Sequence, residues 1–279
     1  MRSGIGKSAV PALLLIASSA FAQPQPNADP VFFFRFEIGP ALYRYEESGE
    51  REFAGLETEW EEFAVRMAQE ARVRTPIDLV GVFRFSFLTS GKDTETNNVG
   101  SPPTNLRIAY LFEVQPGVQY EARLRPWLTL APELSWDLDW YLQVRETTSS
   151  GDVNESVFWQ GPAPGIEAAA DLTNDLRLVL GYRHSFLIDV QASNSFAEEL
   201  GFDEFSTDGD RDVVALRLER LLIGRWRGSI AYRFESTRID ASDTKTRTGG
   251  PAGVQTVEVQ FPGNEHLVHA ALIAVGTTF

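Results

Sequence analysis

The chain of 279 residues contains no cysteine. Disulfide staples and thiolate metal sites are therefore excluded, and the fold must be held by its own hydrogen bonding and packing. Lysine is confined to Lys7, Lys92 and Lys245, so nearly every cation is an arginine. Basic residues number 25 against 39 acidic ones, a formal charge of −14. That excess excludes nucleic acid as a partner, because phosphate binding needs clustered Lys and Arg. Long apolar runs are also lacking. The stretch from Val10 to Ala20 is shorter than the roughly 20 residues a membrane-spanning helix requires. A mean hydropathy of −0.18 suits a soluble protein. It suits a membrane barrel equally well, because barrel strands hide their apolar residues by alternating them with polar ones.

The first residues carry an export signature. Arg2 and Lys7 form a short basic start, the apolar run follows, and Ala20-Phe21-Ala22 supplies a small-x-small cleavage pattern. Residues 1–22 are expected to be removed as a signal peptide after Ala22. Residues 23–30 then lead into a folded part spanning 31–279.

Within that part the dominant signal is a period of two. Leu128, Leu130, Leu134, Trp136, Leu138, Trp140, Leu142 and Val144 share one parity, while Glu133, Ser135, Asp137, Asp139, Gln143 and Arg145 share the other. A helix would mix the two sets on each face, so this is a strand. It is much longer than the five or six residues usual in soluble proteins, as a tilted spanning strand would be. The alternation recurs around 32–38, 106–114, 176–182 and 230–234. Linkers alternate in length: polar ones near 89–104, 146–157, 190–211 and 241–263, short ones at Thr173-Asn174-Asp175 and Gly224-Arg225. The expected fold is all-β, a closed antiparallel transmembrane barrel of ten strands, with eight or twelve as the alternatives. The strands read as 31–45, 54–69, 76–89, 104–120, 127–146, 158–172, 175–190, 211–223, 226–240 and 264–279. Residues 56–71 are ambiguous, because Leu56, Trp60, Phe63, Met67 and Ala71 also fit helical spacing. The strand reading is preferred there. Trp127 and Trp226 fall at one edge of this barrel, Trp60 and Trp159 near the other, as interfacial girdles require.

The last strand, His266 to Phe279, places Leu267, Ala271, Ile273, Val275 and Phe279 on one parity and ends on the aromatic. It resembles the C-terminal insertion signal of bacterial outer-membrane β-barrel proteins, although Thr277 stands where a bulky residue is common. The resemblance implies a bacterial outer-membrane location, with residues 23–30 on the periplasmic side and Phe279 as the insertion signal. It implies outer-membrane lipid and lipopolysaccharide as surroundings and the barrel-assembly machinery as a partner during insertion. The expected state is a monomer with no cofactor.

The inward parity carries both signs of charge: Arg35, Arg107, Arg145, Arg183, Arg217 and Arg233 against Glu37, Glu113, Glu133, Asp137, Asp139 and Glu235. A narrow lumen tolerates such groups when they pair, and arginine's planar fork suits carboxylates. Three functional readings follow. The preferred one is a structural or surface-binding barrel with an ion-paired lumen and acidic outer loops. The alternative is a narrow channel for small solutes or ions. The third is an omptin-like or lipid-modifying enzyme. For the enzyme, Asp137 and Asp139 supply a carboxylate pair and His266 is the candidate acid–base partner. Tyr182-Arg183-His184-Ser185 looks like the His-x-Ser-Asn motif of outer-membrane lipid hydrolases, but adjacent strand residues point to opposite faces. In the acidic segment Glu198, Glu199, Asp203 and Glu204 precede Asp208, Asp210 and Asp212. The last three are weak candidates for a Ca²⁺ site, since the EF-hand spacing is absent.

Overall fold

The computed structural model describes residues 31–48, 57–91, 93–97, 104–147, 151–195, 198, 202, 204–248 and 256–279. The expected signal peptide and residues 23–30 lie outside them.

The elements in chain order are β1 (Val31–Ser48), β2 (Glu57–Arg74), β3 (Leu79–Ser90), β4 (Asp93–Asn97), β5 (Thr104–Tyr120), β6 (Ala122–Arg125) and β7 (Leu128–Thr147). They continue with β8 (Gly151–Asp171), β9 (Leu176–Asn194), β10 (Phe205–Leu221), β11 (Trp226–Ile239), β12 (Lys245–Thr248), β13 (Thr256–Val259) and β14 (Gly263–Thr278). β4 prolongs β3, bonding to β2 on one side and β5 on the other, and β6 prolongs β5 along β7. Counted this way, ten antiparallel staves follow one another around a closed barrel. β1 closes on β14 from Phe33↔Thr278 to Ser48↔Gly263, and the Phe279 N–H donates to the Phe32 carbonyl at 2.8 Å. β12 and β13 form a separate two-stranded antiparallel sheet.

One end of the barrel has short turns, at 75–78, 126–127, 172–175 and 222–225, and the other has the long connections. Two of the turns use the left-handed region, at Asp78 (φ 59°) and Gly224 (φ 60°). Gly enters that region freely and Asp is among the residues that tolerate it. The expected third strand therefore starts at Leu79 rather than at 76, and Asp78 belongs to the turn. β2 is a strand through the ambiguous segment, paired without interruption to β1. Barrel closure outweighs the helical spacing there, because an omitted stave would leave backbone groups unpaired. β8 begins at Gly151, and β9 and β10 extend to Asn194 and back to Phe205. The connections read as 146–157 and 190–211 are correspondingly shorter. Their polar residues continue the ladder above the apolar belt, where hydrophobic alternation gives no signal.

The outer face is apolar, with Phe63, Phe83, Leu134, Ile230 and Ile273 exposed along it. Trp127 and Trp226 are half exposed at the short-turn end. The side chain of Trp60 lies outside the described residues. Trp159 corrects its girdle assignment: it pairs with Asp139, shares that residue's inward face, and is buried.

β1 and β14 approach closely at Gly39, where a Cβ would collide with the Ala271 carbonyl oxygen. Gly39→Val is expected to lower stability by about 1–3 kcal/mol, the usual cost of overpacking. Urea titration of the compact, heat-modifiable form on gels should show a lower midpoint.

Candidate functional site: the ionic lumen

Three layers of side chains occupy the lumen from the short-turn end upward. The lowest is organised on Glu70 of β2. In register it lies opposite Arg35 of β1 and Arg84 of β3. Its carboxylate pairs with Arg35 at 3.1 Å and accepts from Arg72 at 2.7 Å and Arg84 at 2.8 Å. The arginines then cross the barrel: Arg72 reaches Glu167 of β8 at 2.9 Å, Arg84 reaches Glu133 of β7, and Arg35 reaches Glu219 of β10 at 3.4 Å. Arg35 also holds Glu37 at 2.7 Å, and Arg217 holds Glu219 at 2.6 Å.

The second layer is a knot of two fully buried arginines. Arg66 of β2 pairs with Glu113 of β5 and with Glu235 of β11 at 2.8 Å. Arg211 of β10 pairs with Glu113, with Asp139 of β7 at 2.6 Å, and with Glu235 at 2.8 Å. Arg233 adds to Glu235 and lies 3.6 Å from Glu113. Asp137 accepts from Gln115 and Ser185, with Arg183 at 4.0 Å. Every barrel stave except β14 contributes to these two layers, whose pairs are desolvated and charge-assisted. On β14 the inner face is small and apolar instead, with Val268, Ala270, Leu272 and Ala274 buried.

The third layer is aromatic and closes the long-loop end. Tyr43, Tyr45, Tyr141, Trp159 and His266 are buried together and continue into Phe202, Phe205 and Phe261. The Tyr45 and Tyr141 rings stack at 6.3 Å, and His266 stands edge-on to both. The Trp159 N–H donates to Asp139 at 2.8 Å, tying this layer to the knot below.

The candidate catalytic residues share the lumen. Trp159 stands between Asp139 and His266, its ring 5.8 Å from the imidazole. Both imidazole nitrogens are engaged, Nδ1 with the Tyr43 hydroxyl at 2.7 Å and Nε2 with Asn264 at 3.1 Å. Asp137, Asp139 and His266 are each 3% exposed or less, so a substrate cannot reach them in this conformation. His184 faces outward, bonded to Asp212 at 3.0 Å beside Tyr182, while Ser185 points into the lumen. Asp208 and Asp210 are corrected from a loop to β10, where with Asp212 they stand at every second position of an extended strand, spaced too far apart to converge on one ion. Among the described residues no His, Asp and Glu cluster has metal-binding geometry. The side chains of Arg107 and Arg145, and residues Glu199 and Asp203, lie outside the described part.

Sequence reasoning overlooked Glu70, Arg72 and Arg211. Arg211 keeps the parity of Arg217, which was its signal. Glu70 and Arg72 fall just beyond the end assigned to the ambiguous second strand.

The barrel superposes on the outer membrane protease OmpT from Escherichia coli with a TM-score of 0.61, at 10% identity, covering 92% of this chain and 98% of that one. The chain has the fold of bacterial outer-membrane β-barrels. The translocator domain of the autotransporter NalP from Neisseria meningitidis matches more loosely, with a TM-score of 0.45 at 13% identity over 96% of this chain and 94% of that one. The Ralstonia pickettii toluene transporter TbuX gives 0.36 at 10% identity over 88% and 89%. At these identities the likeness is one of fold alone. No protein-family profile and no curated protein matches the chain.

In a closed barrel of this kind, cutting the knot should cost more than cutting any exposed pair. Arg66→Met leaves Glu113 and Glu235 buried with one guanidinium fewer. It is expected to destabilise by about 3–5 kcal/mol. Arg238→Met, removing an exposed cation 3.7 Å from Glu265 on the outer face, should cost under about 1 kcal/mol. Urea unfolding of both variants in the same detergent checks the ranking.

Proposed function

We propose that this chain resides in the bacterial outer membrane as a closed, ion-paired barrel. Its role is structural or surface-binding, exercised through an acidic long-loop face. The observation that carries the reading is the aromatic layer over the arginine knot. Tyr43, Tyr45, Tyr141, Trp159, Arg66 and Arg211 are all at most 1% exposed, leaving no route for hydrated ions between the ends. A channel must instead keep a wetted path with sites weak enough to release its cargo.

Export is assigned to residues 1–22, with cleavage after Ala22, and insertion to Phe279 as the signal read by the assembly machinery. Outer-membrane lipid and lipopolysaccharide then surround a monomer. In that orientation the short turns face the periplasm and the long connections face outward. The long-loop end presents Glu204, Asp208, Asp240 and Asp243, exposed carboxylates suited to a cationic surface or partner.

Reconstituted into planar bilayers, the purified barrel is expected to give no unitary conductance steps at voltages that leave the membrane intact. Regular single-channel steps that scale with salt concentration would replace this reading with the channel.

A further inference from the structure

Below the knot the lumen is not filled. A cavity of about 100 Å³ lies among Arg84, Asp137, Arg183 and Arg233. A larger chamber of about 230 Å³ lies at the short-turn end. Arg35, Glu167 and Arg217 line both and stand between them. The lower chamber reaches solvent, since Arg74 and Arg177 on its wall keep side-chain exposures of 44% and 32%.

The polar wall of this chamber consists of Arg35, Arg72, Arg74, Arg177, Arg217 and Arg227, with Glu121, Glu167, Glu219 and Thr278. Its carboxylates are already satisfied. Glu167 is held by Arg72 at 2.9 Å, Glu219 by Arg217 at 2.6 Å, and Glu121 by Arg74 at 2.6 Å. The Arg227 side chain has no ion pair or hydrogen bond among the described residues. Arg177 has only a long contact of 3.7 Å to Asp171, and its Nε has no hydrogen-bond partner. In register both arginines flank the end of β10, Arg177 opposite Glu219 and Arg227 opposite Leu221. Two guanidinium groups with spare donors thus face one wetted chamber in a chain that is otherwise strongly acidic. Its volume equals several waters, at ~30 Å³ each, and accommodates a small oxyanion. Planar guanidinium forks match the oxygens of such an anion bidentately.

We propose that this chamber binds a small oxyanion, of the phosphate or carboxylate class, entering from the short-turn end between Arg177 and Arg227. The site is new relative to the closed-lumen reading and rests on it only for the blind upper end. A conducting barrel would overturn that reading and leave the binding measurement unaffected.

The test is isothermal titration of the folded, detergent-solubilised barrel with inorganic phosphate, against chloride at matched ionic strength. Saturable heat with phosphate alone is expected. Affinity should fall about tenfold in Arg227→Gln and in Arg177→Gln, the weight of one charge-assisted hydrogen bond. Arg238→Gln, a change at the opposite end on the outer face, should bind as the parent does. If Arg227→Gln does not fold, Arg227→Lys keeps the charge and removes the fork, and should bind at intermediate strength. No saturable phosphate heat, unchanged affinity in both inner variants, or equal weakening by Arg238→Gln overturns the proposal.

Discussion

A charge inside a narrow barrel must find its opposite, and this requirement organises the molecule. The outer face of the barrel is largely apolar, so most of the charged side chains along the staves are turned inward, away from bulk water. There the cost of desolvation is offset by close pairing of opposite charges. Arginine meets the demand better than lysine, because one guanidinium can bridge carboxylates on different staves. Arg66 joins β2 to β5 and β11, and Arg211 joins β10 to β5, β7 and β11. The hydrogen-bond ladder ties each stave to its neighbours, and the arginines tie it to staves across the barrel. The scarcity of lysine in the sequence follows from the same need.

The division of the lumen into layers follows from where water can enter. Near the short turns the arginines have water and keep spare donors. At mid-height they are buried and paired with carboxylates. At the long-loop end the lumen turns aromatic, with Trp159 as the hinge between chemistries: its ring belongs to the apolar layer and its N–H to Asp139. The acidic excess lies outside this system, at the long-loop face.

Much of the fold was legible from alternation alone. The period of two identified β7, β5 and β9, and the uneven linker lengths distinguished the two ends. Strand ends were less legible, since Gly151 to Ser156 in β8 continue the ladder with Val153 as the one apolar residue to mark it. The inward parity identified most of the ion-pairing side chains, but which carboxylate each arginine chooses depends on the stagger across the barrel. Arg72–Glu167 spans β2 to β8, a relation that no local pattern carries. Trp159 was misplaced because tryptophan near a strand end suggests an interface, while its parity, shared with Gly161 and Val157, pointed inward. The catalytic grouping of Asp137, Asp139 and His266 also came from parity. In the fold Trp159 bonds Asp139 and stands 5.8 Å from His266, a placement that parity does not carry.

The absence of cysteine makes the central claim directly measurable. Single-cysteine variants at Ser185, buried beside Asp137, and at Ser229, on the inner wall of β11 near the short turns, can be exposed to a membrane-impermeant thiol reagent from either side of a reconstituted bilayer. A closed lumen with one wetted end predicts that Ser185→Cys stays unmodified from both sides. It predicts that Ser229→Cys reacts only from the short-turn side. Rapid modification of Ser185→Cys from the long-loop side would contradict the account.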